Sequence, residues 1–147
     1  MMPSLRIAAT AARGGRMGVE HEEAVRAFLA ELEGHLDSAR TERVVNRMAS
    51  DARYHVLAWH EPFVGHDAIR AELLRQGTVC RDVRIEIQTI ASVGHVVFTE
   101  RVDSMDLRGK PIASQIVGVY EVDSAGKIAA WRDYLDSREV SSQLGRA

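Results

Sequence analysis

Apolar positions along this chain change their spacing once. Between Glu20 and Leu36, Val25, Phe28, Leu29, Leu32 and Leu36 recur three and four residues apart. That spacing gathers apolar side chains on one side of an α-helix. Acidic residues crowd its first turn, and Gly34 weakens its end, so a helix is expected over 20–36. A second helix is expected from Ser38 to Ala49, capped by Asp37 or Ser38, with Val44, Val45 and Met48 as its apolar side. Arg53 to Trp59 reads as a first strand, ended by Glu61-Pro62 because proline cannot donate to a ladder. After Gly65 a short helix over 67–76 buries Ile69, Leu73 and Leu74, with Gly77 as its C-terminal cap.

From Val79 onward the period is two. Val83, Ile85 and Ile87 alternate with Arg84, Glu86 and Gln88 in a long second strand. A turn at Gly94 leads to a third strand, His95 to Leu107. Arg108-Gly109-Lys110 turns into a fourth, Ile112 to Val122, and 123–126 turns into a fifth, Lys127 to Leu135. Ser137 to Leu144 reads as a short closing helix. Helices followed by a meander of long strands make an α+β fold. The expected form is a strongly curved mixed or antiparallel sheet, shaped as a cone with helices over its mouth. One face of the sheet would line a pocket.

Composition narrows the class further. The 147 residues suffice for one domain with a core, expected over 20–147. Residues 1–19 hold Arg6, Arg13 and Arg16 and no acid, and are expected to form a flexible tail. With 46% hydrophobic and 27% charged residues and a net charge of −2, the chain reads as a globular protein. It carries no basic footprint for nucleic acid and no apolar run long enough to span a membrane. The single cysteine, Cys80, excludes an internal disulfide framework and fits a reducing, cytoplasmic compartment.

The chemistry-bearing residues lie on the third and fifth strands. Side chains two apart on a strand share a face, so Arg101 and Asp103 project together among Val97, Thr99 and Met105. Asp133 shares its face with Ala129, Trp131 and Leu135. Unpaired charges in such company are costly. Taken singly, an arginine and an aspartate two apart are more often an exposed pair that contributes little. Together the three would make an acid, a base and a clamp. His55 and His60 are five apart on a strand, on opposite faces, and make a poor metal pair.

Thr99-Glu100-Arg101-Val102-Asp103, Gly118-Val119-Tyr120-Glu121-Val122, Gly126-Lys127-Ile128 and Trp131-Arg132-Asp133-Tyr134-Leu135-Asp136 resemble the limonene-1,2-epoxide hydrolase family. That family has the cystatin-like, nuclear transport factor 2-like cone. The resemblance implies addition of water to a small, mainly apolar epoxide, a terpene or alkene oxide, giving a vicinal diol. Asp133 would be the general base, a protonated Asp103 the general acid, and Arg101 the bridge between them. It implies direct attack by water without cofactor or metal, and a homodimer. The family holds its water with a tyrosine and an asparagine two apart on the first strand. Tyr54 falls on the tyrosine in one alignment, with Val56 in the asparagine's place. In another His55 falls there, with Leu57 following. Both stand as water-positioning candidates, with Tyr54 favoured. Trp59, Met105, Ile116, Leu135 and Val140 are core or, on a cone, pocket lining. Two other readings stay open: an isomerase, cyclase or dehydratase using one carboxylate on the same fold, and a non-catalytic module that binds a small molecule.

Overall fold

The computed structural model describes residues 11–145, with side chains from residue 16 onward. Ten elements follow in order: α1 (Ala11–Glu31), α2 (Ser38–Asn46), β1 (Met48–His55), β2 (Phe63–Val64), α3 (His66–Gly77), β3 (Cys80–Val93), β4 (Val96–Leu107), β5 (Lys110–Val122), β6 (Ile128–Leu135) and α4 (Ser137–Gly145). The strands form one curved, unclosed sheet in the order β2-β1-β6-β5-β4-β3. Its β1–β6 pair is parallel and all other neighbours are antiparallel, so the sheet is mixed. Register shifts between Arg81 and Arg84 and between Ile87 and Thr89 interrupt the long β3–β4 ladder, and such irregularities bend and twist a strand pair.

One face of the sheet is covered by helices. The stripe Val25, Phe28, Leu29 and Leu32 of α1 and Ile69 and Leu73 of α3 pack with Val97, Tyr120, Val122, Ile128 and Trp131 of the sheet in a single core. Backbone pairing of Gly34 with Val83 fastens the segment after α1 to the outer edge of β3. At its start β5 outruns β6, whose pairing with it begins at Ile116. There the Gln143 amide of α4 stands in for a strand, accepting from the Ala113 N–H at 2.8 Å and donating to its carbonyl at 2.7 Å. No helix among the described residues is long and apolar enough to cross a membrane.

Several boundaries differ from the sequence expectation. Helix α1 runs from Ala11 and stops at Glu31, so it starts earlier and ends sooner than the expected 20–36. Residues 1–10 lie outside the described residues. Helix α2 ends at Asn46 because Met48, expected on its apolar side, pairs with Ile128 as the first residue of β1. The stretch from Val56 to Trp59, expected in that strand, has left the sheet. The two-residue β2 is too short to carry a period. Gly77 is not a left-handed cap, since the α3 cap is Thr78 in ordinary helical geometry. A Cβ on Gly77 would sit 2.2 Å from the Leu36 carbonyl oxygen, so close packing keeps it small.

Candidate active site

Thr99 of β4, Gly118 of β5 and Asp133 of β6 lie side by side across three strands. Arg101 sits one step along on the same face, and its guanidinium leans back over Gly118. A Cβ there would come within 2.4 Å of Nη1 and 2.3 Å of the Tyr120 hydroxyl. Glycine therefore provides the space in which the arginine lies.

All five guanidinium N–H groups are engaged. Nε and Nη2 donate to the two oxygens of Asp103 at 2.9 and 3.1 Å. Nη1 and Nη2 donate to the two oxygens of Asp133 at 3.0 and 2.7 Å. Nη1 also donates to the Tyr120 hydroxyl at 2.7 Å, which in turn bonds Thr99 Oγ1 at 2.9 Å. Arg101 is 1% exposed, Asp103 7% and Asp133 6%. One buried cation thus grips two carboxylates by bidentate forks, a geometry only a planar guanidinium offers.

Aromatic rings back this cluster. The Trp131 indole N–H donates to Asp133 Oδ1 at 2.9 Å. The Trp131 ring is held by Tyr54, stacked at 4.1 Å and 8°, and by Phe28, edge-on at 5.1 Å. Phe28 also meets Tyr120 edge-on at 6.4 Å. Asp133 therefore accepts from three N–H groups of two rigid side chains, and Asp103 from two of one.

The electrostatics separate the parts. Burial pushes the Asp103 carboxyl up against the opposing pull of Arg101, and the Asp133 and Glu33 charges push the same way as burial. Burial works to lower Arg101, yet the Asp133 charge, the Tyr120 oxygen, the hydrogen bond to Asp133 and the Asp103 charge hold it well above its ordinary value. Burial is also the main cause that raises the Tyr120 phenol, to about 12. One cation facing two carboxylates is balanced when one of the two carries a proton, and burial favours the protonated form of Asp103.

The structure brings Arg101, Asp103 and Asp133 together, and sets Tyr54 against them through Trp131. It does not bring His55, which faces the other way with Nδ1 at 2.8 Å from the His60 carbonyl. Alternation along β1 is the reason: Tyr54 and His55 are adjacent, so only one can face the core. Of the expected pocket residues, Met105 and Leu135 each lie two positions beyond an aspartate on the same face, with Ile116 beside Leu135. Val140 is half-buried on α4. Trp59 is 58% exposed and edge-on to His60. The backbone before it passes beside the site, with the Ala58 N–H donating to the Asp133 carbonyl at 2.8 Å, but its side chain turns to solvent. Among the described residues no group of His, Cys, Asp and Glu is placed to hold a metal ion.

Sequence reasoning passed over Gly118 and Tyr120 as site residues. A lone glycine inside an otherwise alternating strand marks a close approach, and Tyr120 shares its face, so a signal was present. It also passed over Glu72 and Gln76 of α3. Gln76 Nε2 donates to the Tyr54 hydroxyl at 3.1 Å and to Glu72 Oε1 at 3.1 Å. Nothing in the spacing of a helix says which strand residue it will meet.

Comparison with known proteins bears on the family and the fold. Residues 19–146 match the model of the limonene-1,2-epoxide hydrolase catalytic domain. Epoxide hydrolase EphG of Mycobacterium tuberculosis is 38% identical over a match taking in 56% of this chain and 58% of that protein, so the chain spans less than two thirds of this relative. The solved structure of an epoxide hydrolase from M. tuberculosis, described as like limonene-1,2-epoxide hydrolase, superposes with a TM-score of 0.73 at 26% identity. That superposition covers 87% of this chain and 91% of the other. A hypothetical protein with a ketosteroid isomerase-like fold from Catenulispora acidiphila, in complex with trimethylamine, superposes at 0.72 with 21% identity, over 85% and 94% of the two chains. At that identity the likeness is one of fold.

Proposed function

Since the chain belongs to the limonene-1,2-epoxide hydrolase family, we propose that it hydrolyses a small, mainly apolar epoxide, a terpene or alkene oxide, to a vicinal diol. The observation that carries this reading is the single buried guanidinium forked to both Asp103 and Asp133. Opening an epoxide near neutral pH asks for a proton on a poor leaving group and removal of a proton from a poor nucleophile. An acid and a base held rigidly apart meet both demands in one step.

In the proposed step, Asp133 removes a proton from water as the water oxygen bonds to one ring carbon. The ring C–O bond at that carbon breaks, and the oxygen takes the proton of Asp103. The products are a diol, a protonated Asp133 and an ionised Asp103, and proton return restores the pair. Arg101 keeps the charge of the cluster nearly constant throughout. The raised pKa of Asp103 supports its role as acid. Met105, Ile116, Leu135 and Val140 favour an apolar substrate body, with Tyr54 beside the attacking water.

Turnover of an epoxide panel in ¹⁸O-labelled water tests the step. Direct attack places label in the first diol formed under single-turnover conditions. Unlabelled first-turnover diol, its oxygen drawn from the protein, would exclude this mechanism. The proposed assembly is a homodimer through the outer face of the sheet. There Val117 and Tyr134, register partners on β5 and β6, are 45% and 48% exposed, with Phe98 nearby on β4.

A further inference from the structure

Tyr54 is a buried phenol whose hydroxyl is committed on one side only. Its oxygen accepts from Gln76 Nε2 at 3.1 Å, and among the described residues its own proton meets no protein acceptor. The direction of the Gln76 amide is set by chemistry. Its nitrogen also donates to Glu72 Oε1 at 3.1 Å. Glu72, 6% exposed, is forked by Arg75 at 2.7 and 2.8 Å. That fork is the main cause holding the Glu72 carboxyl below its usual range, so it is an acceptor to which an amide must turn its NH₂. Both N–H groups of Gln76 are then used, one on Glu72 and one on Tyr54, and the Tyr54 proton is left to point elsewhere. Tyr54 stacks on Trp131, the residue that donates to Asp133. Burial, and after it the Asp133 charge, raises the phenol well above its usual value, so it stays a donor. The first strand supplies no amide of its own here, because Val56 follows Tyr54 on the core side.

We propose that Gln76, anchored by Glu72, is a positioning residue that fixes the Tyr54 hydroxyl as a donor to the water activated by Asp133. A water that accepts from Tyr54 and donates to Asp133 has one lone pair committed and the other free to attack carbon. If the amide were lost, the hydroxyl would rotate between donating and accepting, and the water would lose its fixed aim. This inference rests on the reading of Asp133 as the base.

A double-mutant cycle in kcat tests it. Gln76→Met keeps the side-chain volume and removes the amide. It should lower kcat roughly 10–100-fold, the scale of a mispositioned reacting group, with KM little changed. Tyr54→Phe should do the same, and the double variant should be no slower than Tyr54→Phe alone. Wild-type kcat in Gln76→Met, or losses that multiply in the double variant, would overturn the proposal, since a purely structural amide acts independently of the hydroxyl. Should Gln76→Met fail to fold, Glu72→Gln serves in its place: it frees the amide to turn and should show the same loss, and unchanged kcat there overturns the idea. If wild-type protein leaves every epoxide intact, the reading of the site fails. The Tyr54 hydroxyl proton, followed by NMR, then decides separately whether Gln76 fixes the hydroxyl. Slow exchange in the wild type that is lost in Gln76→Met supports it, and identical signals in the two overturn it.

Discussion

Arg101 makes five hydrogen bonds within the site, and a lysine could keep its charge while making at most three. Arg101→Lys should therefore lose diol formation nearly as completely as Asp103→Asn or Asp133→Asn, each expected to cost roughly 10²–10⁴-fold in kcat. Thermal melts should show all three variants folded, and full turnover by either asparagine variant would defeat the acid–base assignment. The pH response has a definite sign. Asp103 has a raised pKa in the folded state, and the proposed step needs it protonated, so kcat should fall as pH rises through that value. Its protonated form is also the one folding favours. The stability it contributes is fully present below the ordinary aspartate pKa and is lost as pH climbs through the raised one. Urea unfolding across that window should show Asp103→Asn gaining on the wild type with increasing pH. At this scale the sequence was informative: alternation placed Arg101 and Asp103 on one face and Asp133 on another strand. It could not aim Tyr54 or Gln76, because the partner of a helix residue is decided by packing between elements.

Two glycines are held small by what packs against them. In the last turn of α3, helix propensity alone predicts that Gly77→Ala stabilises by about 1 kcal/mol. The Cβ would meet the Leu36 carbonyl oxygen at 2.2 Å, and a backbone atom cannot swing aside. Overpacking of this kind costs about 1–3 kcal/mol, so Gly77→Ala should lower the melting temperature. Gly118→Ala should do so as well, and should also abolish turnover, because its Cβ displaces Arg101 and Tyr120. An inactive Gly77→Ala beside an active Gly118→Ala would reverse this division of roles. Strands β3 to β6 and helices α3 and α4 were legible in outline, since their periods are sustained over many residues. The boundary between α2 and β1 was not. Val44, Val45 and Met48 fit a helical stripe, and only pairing of Met48 with Ile128 draws it into the sheet. Such a pairing joins residues far apart in the chain, beyond the reach of local periodicity.

The whole molecule presents two faces of different character. Inside, helices pack on the sheet in an apolar core beside a buried charged triad. Outside, Val117, Tyr134 and Phe98 stand exposed on adjacent strands, a patch that favours association. If two copies meet there, Val117→Glu should shift sedimentation from dimer to monomer while leaving the melt cooperative. A wild type that sediments as a monomer at all concentrations would rule out this assembly. Parallel pairing of β1 with β6 was the part of the topology hardest to foresee. The meander gives antiparallel neighbours by short turns, whereas a parallel contact is made only when the chain's two halves come together.

Gln143 completes a ladder that no strand completes. A protein nicked ahead of α4 would keep its interior yet uncover the Ala113 N–H and carbonyl that this side chain satisfies. Bare groups of that kind recruit extended segments from other molecules. The symptom of proteolytic clipping would then be clumping at temperatures where the rest of the chain has not begun to melt.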